Sequence, residues 1–459
     1  MSILDALPAV FLSWFQSIDP STQVWLVGGA IRDHFLDRAT IDLDFAVSGD
    51  ALALARQAAD RLEGDVFALD SDRGTARVLL DKDGPGRRVL DFAALRGETI
   101  EADLRARDFS VNSLALDLRR PDELIDPCQG LQDLRNGAIR VCSSRSIDED
   151  AVRALRAIRL ASVLGFRIEE ATQERMRSAA PDLASISRER VRDELFRMLA
   201  VDEPATPYYL VRYFGFEPVV FGSEMPADKA QLMLAVWREL GGILAALAPE
   251  YDPETAANAH MGLLVWQLGR YRGNLQTYLF HEVSTFRRCR ELTFLGSREW
   301  LLSESRRVMT GAADVLRLSQ VEARWLSRFT GGMELSASLE AAPLEIYRFF
   351  RTASESGAAC GLVHLAYVLA REEGKLQGSD WAKEVEKVRS LLEAFFERRE
   401  IMIDPAPILT GDDLLRELQI EAGPRIGQIL ERLRELQVAG AISSRAEALA
   451  AAENLIRPT

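Results

Sequence analysis

The stretch VWLVGGAIRDHFLDRATIDLDFAV, residues 24–47, decides the fold. Four apolar residues, VWLV, predict a buried strand; the pair Gly28-Gly29 follows, and then a helical run, IRDHFL. The stretch ends in IDLDFAV, a β-type run in which Asp42 and Asp44 stand two residues apart. Side chains at that spacing leave a strand on the same face, so both carboxylates point one way. Outward from this core, ALALARQAADRL continues as helix, and DVFAL, ARVLL, RRVLDF, SVNSLAL and IRVC read as further strand-like runs up to about residue 142. Strands and helices so interleaved predict a mixed α/β domain.

From about Glu149 the strand signal stops. Apolar residues recur at three- and four-residue spacing in AVRALRAIRLASVLGF, VRDELFRMLA and WAKEVEKVRSLLEAFFERR, so the rest of the chain is expected to be helical and the whole chain α+β. Pro and Gly punctuation predicts breaks near 201–208, 248–255, 331–343 and 404–407. In the tail, Gly411-Asp412 and Gly423-Pro424 each precede an amphipathic helical run.

The chain has 459 residues, 47% hydrophobic and 27% charged, enough for more than one domain with its own core. No run of eighteen uninterrupted apolar residues occurs, and the amino-terminal MSILDALPAVFLSWFQSIDP has no basic flank, so neither a membrane span nor a secretory signal is expected and the reading is cytoplasmic. Cys128, Cys142, Cys289 and Cys360 lack CxxC spacing, which argues against a disulfide framework and a structural zinc site. The four histidines are not at paired-ligand spacing, so chemistry falls to carboxylates and arginines. A net charge of −14 discourages a nucleic-acid partner for the chain as a whole, yet between Arg153 and Arg197 ten arginines face seven acids, leaving room for a local basic strip.

Two hard cations a few Å apart need shared carboxylate oxygens, which Asp42 and Asp44 could supply; alone, such a pair also fits two solvated charges on an exposed strand. Gly28-Gly29 reads either as a tight turn or as backbone that lets N–H groups approach phosphate, with Arg32 adding a fork of donors. Asp91, in RRVLDFAALR, is a third acid that could pair alongside and face the same metals, or an ordinary strand-end carboxylate. In RDFSVN, Arg107 could hold phosphate and Asn112 the ribose or phosphate, while Asp108 reads equally as a helix cap. Asp150, Arg153, Arg156 and Arg159 advance in threes along a predicted helix, either as a solvated charged face or as a base reader. A carboxylate beside a guanidinium matches the edge of cytosine or adenine, an amino group beside a ring acceptor; uracil and guanine would meet it acceptor to acceptor.

In this order the motifs resemble the class II tRNA nucleotidyltransferase and bacterial poly(A) polymerase family. LVGGAIRDHFLDRATIDLDFAV, RDFSVNSLAL, IDPCQGLQDLRNGAIRV, EDAVRALRAIRLASVLGF and ISRERVRDEL are similar to its five successive motifs, and LTGDDLLRELQIEAGPRIGQIL to its carboxy-terminal region. The resemblance implies a polymerase β-like head (1–142) with a mixed sheet, then an all-helical neck (143–203), body (204–395) and tail (396–459). It implies that Asp42 and Asp44 bind Mg²⁺, that Gly29, Arg32 and Arg107 hold the nucleotide, and that Asp150 and Arg153 select the base without a template, supported by Arg156 and Arg159. The expected partners are CTP or ATP and the acceptor arm and 3′ end of a tRNA.

Two departures stand out. Ala106 occupies the first of two positions that are usually arginine, and only sixteen residues separate Asp91 from Asp108, with RGETIEA where full CCA-adding members carry a longer loop. The short loop resembles enzymes that add CC only, which favours CC addition over CCA. Poly(A) polymerase or A addition is the related alternative. A non-catalytic RNA-binding relative is the alternative from another class, disfavoured by the intact Asp42, Asp44, Arg32, Asp150 and Arg153.

Overall fold

A computed structural model of the chain describes residues 9–16, 18–40, 42–81, 87–120, 122–248, 251, 259–284, 287–303, 311–372 and 375–456. Part of the amino-terminal reading (residues 1–8) and most of the break expected at 248–255 lie outside them. The chain divides into two compact units, Met1–Glu194 with Tyr213–Phe216, and Leu195–Arg212 with Glu217–Thr459.

The first unit is built on a seven-stranded sheet. In chain order its elements are α1 (Ala9–Phe15), β1 (Val24–Val27), α2 (Gly29–Phe35), β2 (Asp42–Val47), α3 (Ala51–Leu62), β3 (Asp65–Asp70), β4 (Thr75–Leu80), β5 (Arg88–Ala94), α4 (Ile100–Arg105), β6 (Ala115–Asp117) and β7 (Leu124–Ile125). The strand order is β3-β4-β5-β2-β1-β6-β7, with β2 and β5 parallel and their neighbours antiparallel. All four residues of β1 are buried, as a strand flanked on both sides requires. In β2 the alternation puts Leu43 and Phe45 into the core, where Phe45 stacks between Phe11 and Phe92 at 5.1 Å each, and turns Asp42 and Asp44 to the opposite face. A parallel pair needs a crossover, here α3 and the β3–β4 hairpin; Asp50 starts α3 by accepting the Ala53 N–H, and buried Ala55, Ala58 and Ala59 pack it closely.

After β7 come α5 (Gly130–Asn136), β8 (Ala138–Ile139), α6 (Ser146–Glu149), α7 (Val152–Leu164), β9 (Arg167–Ile168), α8 (Glu170–Ser178), α9 (Ala180–Leu183) and α10 (Arg188–Leu199). Three expectations need correction. SVNSLAL is not one strand: Ser110–Asn112 forms a 3₁₀ turn, and only Ala115–Asp117 joins the sheet. The turn is pressed by Gly130, where a Cβ would stand 2.1 Å from the Ser110 carbonyl oxygen. Strand structure also persists beyond Glu149, in β9, which pairs parallel to β8, and in Glu282–Ser284 with Arg287–Arg288. Thirdly, α7 begins at Val152, so Asp150 is not on the helix but extended before it (φ −155°, ψ 94°).

Among the described residues the second unit is helical apart from the pairing of Glu282–Ser284 with Arg287–Arg288. Its core holds Trp237, Phe294 and Trp381, with the Trp237 indole N–H donating to Ser297 Oγ at 2.8 Å. The break expected from residue 331 begins only after Ser336, because Gly331 and Gly332 lie inside the helix Gln320–Ser336. There Gly332 serves close packing: a Cβ would meet the Ala353 Cβ at 2.7 Å and Cys360 Sγ at 2.8 Å. The tail has a small core of its own, including Leu409, Leu414, Ile429, Leu433 and Ile442. Thr410 and Asp413 close a capping box on Gly411–Glu417, and Pro424 opens Pro424–Val438. Among the described residues no helix is long and apolar enough to cross a membrane.

Candidate active site

The site grows from the register of the sheet. Asp44 on β2 lies opposite Asp91 on the parallel β5, and Asp42 opposite Val89, so the three acids share one face as the sequence suggested. Burial chiefly, then the charges of Asp91 and Asp42, push the Asp44 carboxyl up to about 6, against the pull of Arg107 and Arg156. Burial also raises Asp42, with Arg77 opposing. Oxygen-only donors of this kind suit a hard divalent cation, and the desolvated Asp44 gains most from one. Among the described residues no group of three or more His, Cys, Asp or Glu side chains is placed to hold a metal ion.

Beside the acids lies the glycine pair. Gly28 has φ 76°, a conformation costly for any side chain, and its missing Cβ leaves room that would otherwise lie 3.3 Å from both Asp44 Oδ2 and Arg107 Nη1. Gly29 opens α2 and faces the Arg32 guanidinium. Arg32 forks onto Asp33 at 2.8 and 2.9 Å and donates through Nη1 to Asn112 Oδ1 at 2.7 Å, so Arg32 and Asn112 stand together. Arg107 is anchored by the buried Asp103, one helical turn earlier, with Nε at 3.1 Å. Two guanidiniums therefore flank a side-chain-free backbone turn next to the acids.

Between β5 and α4 the chain needs only residues 95–99. Gly97 has φ 114°, Thr99 caps α4, and the Arg96 N–H donates to Asp103 Oδ1 at 3.0 Å, so the carboxylate that holds Arg107 also fastens the turn.

Asp108 is not a helix cap: Oδ1 accepts the Phe109 N–H and Oδ2 pairs with Arg156 at 2.8 Å. Arg153 donates to Ser146 Oγ at 2.8 Å and to the Ala106 carbonyl at 3.4 Å, while Arg159 pairs with Glu194 at 2.8 Å. Asp150 pairs not with Arg153 but with Arg190 of α10, Nη2 to Oδ2 at 2.6 Å; its Oδ1 is buried with no hydrogen-bond partner among the described residues. Arg38 donates to the Val163 carbonyl at 3.1 Å, tying α7 to the end of α2.

Residues of this constellation that the sequence reading did not single out include Asp103, Arg190, Glu194 and Arg77. Asp103 was visible as an i,i+4 partner of Arg107. Arg190 and Glu194 lie inside the motif ISRERVRDEL, but their partners are remote in sequence. Arg77 is paired with Asp91 across β4 and β5, which only the register reveals.

Residues 24–140 match the family described as the poly A polymerase head domain, and residues 165–221 one described as a probable RNA and SrmB binding site of polymerase A. A CC-adding tRNA nucleotidyltransferase of Geobacter sulfurreducens is 33% identical over 92% of this chain and 90% of its own length. This chain belongs to the tRNA nucleotidyltransferase family. Its members include a CC-adding enzyme of Thermus thermophilus, 29% identical over 92% of each chain, and an A-adding enzyme of Deinococcus radiodurans, 38% identical over 39% of this chain and 41% of that one. The nucleotidyltransferase fold extends to a solved CCA-adding enzyme in complex with ATP, with TM-score 0.65 and 22% identity over 99% of this chain and 98% of that one. As a nucleotidyltransferase the chain is an enzyme, and its family uses divalent metal ions.

Proposed function

We propose that this nucleotidyltransferase is a cytoplasmic CC-adding enzyme, which extends tRNAs lacking their 3′ end by two cytidines from CTP without a template. The observation that carries the reading is the short turn 95–99, held down on Asp103, which resembles the shortened loop of enzymes that add CC only. In sequence, three CC-adding relatives match over 92–94% of this chain and a fourth over 49%, whereas A-adding relatives match over 34–40% and a CCA-adding one over 39%, which supports the reading.

Gly28 and Gly29 admit the triphosphate to the backbone, with Arg32, Asn112 and Arg107 binding its phosphates and ribose. The unpartnered Asp150 Oδ1 accepts a hydrogen bond from the exocyclic amino group, and Arg153 donates to the ring nitrogen beside it. Arg156 and Arg159, held by Asp108 and Glu194, fix the helix that carries Arg153. Asp42 and Asp44 would hold divalent cations, Mg²⁺ in this reading, which when bound supply Lewis-acid charge and lower the pKa of an attacking hydroxyl. The tRNA 3′ oxygen forms its bond to the α-phosphorus in line with the departing pyrophosphate. The four-part division into head 1–142, neck 143–203, body 204–395 and tail 396–459 assigns catalysis to the first, base selection to the second and the tRNA acceptor arm to the last two.

The test supplies purified protein and Mg²⁺ with tRNAs lacking CCA, CA or A, and each nucleoside triphosphate singly and together, reading product length on a gel. CC addition that stops before A supports the reading. A second reading, A addition, draws on the 38% identity of the A-adding relative over 39% of this chain; a product one adenosine longer only from tRNA ending in CC would establish it. Full CCA or poly(A) products would overturn both.

A further inference from the structure

The face that carries the acids continues onto β4 with a basic residue, Arg77. β4 lies next to β5 and pairs Arg77 with Asp91, while β5 pairs Asp91 with Asp44, so Arg77, Asp91 and Asp44 follow one another across three adjacent strands on one face. Arg77 grips Asp91 with a two-pronged fork, Nε to Oδ1 and Nη2 to Oδ2 at 2.8 Å each. Each Asp91 oxygen therefore already carries one charge-assisted hydrogen bond on the side away from β2.

The Arg77 side chain is 43% exposed and that of Asp91 27%, so the fork is partly solvated and adds only modestly to the pairing of β4 with β5. Its charge matters elsewhere. Adjacent strands are roughly 4.8 Å apart, which puts Arg77 within about 10 Å of the face where Asp42 and Asp44 would hold a cation. At that range a fixed positive charge reduces the attraction of the acids for a divalent ion by a measurable factor.

Resting on the reading of Asp42 and Asp44 as metal ligands, we propose that Arg77 is a positioning residue that occupies Asp91 and keeps the acidic row weak for free divalent cations. A triphosphate then supplies the remaining negative charge and oxygen ligands. In this arrangement metal loading depends on the nucleotide, and Asp91 is a charge-balanced neighbour of Asp44, not a full ligand in the free enzyme.

The experiment measures Mn²⁺ binding to the full chain without nucleotide, following free Mn²⁺ by electron paramagnetic resonance. Arg77→Met is expected to tighten Mn²⁺ binding about tenfold, because it removes the charge and frees Asp91. Arg77→Lys keeps the charge and is expected to stay within about threefold of the parent. Thermal midpoints should stay close to the parent in both variants, since a merely structural pair would move stability and not affinity. Unchanged or weaker binding in Arg77→Met overturns the proposal. Asp44→Asn is the reference: loss of Mn²⁺ binding there upholds the ligand reading, whereas parental binding would overturn that reading and this inference with it.

Discussion

Arg190 holds one oxygen of Asp150 at 2.6 Å and leaves the other, Oδ1, buried without a hydrogen-bond partner among the described residues. Asp150 lies outside helix geometry, extended before α7, so the aim of its carboxylate is set by Arg190 of α10 and not by its own element. Arg190→Met should therefore loosen base selection more than tRNA binding. The expected result is a rise of about tenfold in misincorporation of UMP relative to CMP, the lower part of the range for one good base contact. Single-nucleotide incorporation rates for CTP and UTP check it, and an unchanged ratio would remove Arg190 from base reading.

Asp44→Asn keeps the size of the side chain and removes the charge that burial and Asp91 already strain. Turnover should fall by about 10²–10³ or more, while tRNA affinity, measured by filter binding, stays within a few-fold. Substantial turnover in Asp44→Asn would displace Asp44 from the chemistry.

Gly130 sits where a methyl group would overlap the Ser110 carbonyl, in front of the turn that carries Asn112. Gly130→Ala is expected to destabilise the chain by about 1–3 kcal/mol through overpacking. Denaturant unfolding measures this, and nucleotide binding should weaken with it because Asn112 is joined to Arg32.

Asp413 accepts from Arg445, from the Thr410 hydroxyl and from the Thr410 N–H, which together hold its carboxyl well below the usual 3.8. A carboxylate with a depressed folded-state pKa adds stability above its unfolded value and loses it as pH falls through the folded one. Asp413→Asn should therefore lower the thermal midpoint at pH 7 and make progressively less difference below about pH 4. Thermal scans of both proteins from pH 3 to 7 test it; a constant difference across that range would contradict the linkage.

Much of the site could be read from the chain because its signals are local. Asp42 and Asp44 share a face by strand periodicity, and Gly28-Gly29 with Arg32 belong to one continuous strand–turn–helix. What could not be read depends on register or on contacts between distant segments. Arg77 meets Asp91 only because β4 and β5 pair in one particular alignment, and Asp150 finds Arg190 only after α10 folds back. The regular spacing of Asp150, Arg153, Arg156 and Arg159 suggested one helical face, but each of the four makes a separate attachment, to Arg190, Ser146, Asp108 and Glu194. Gly331-Gly332 looked like punctuation because sequence alone does not distinguish a glycine that ends a helix from one that lets two helices touch.

The parallel pairing of β2 with β5 has a bearing on how the enzyme comes into being. Parallel neighbours cannot be joined by a hairpin, so Asp44 and Asp91 meet only after the intervening helix and hairpin have crossed over, a long-range closure that small domains complete slowly. A ribosome-bound chain that has emerged only through β2 already displays both acids of IDLDFAV but none of their company from β5. The acidic face is therefore complete only when the crossover closes and β5 lies beside β2.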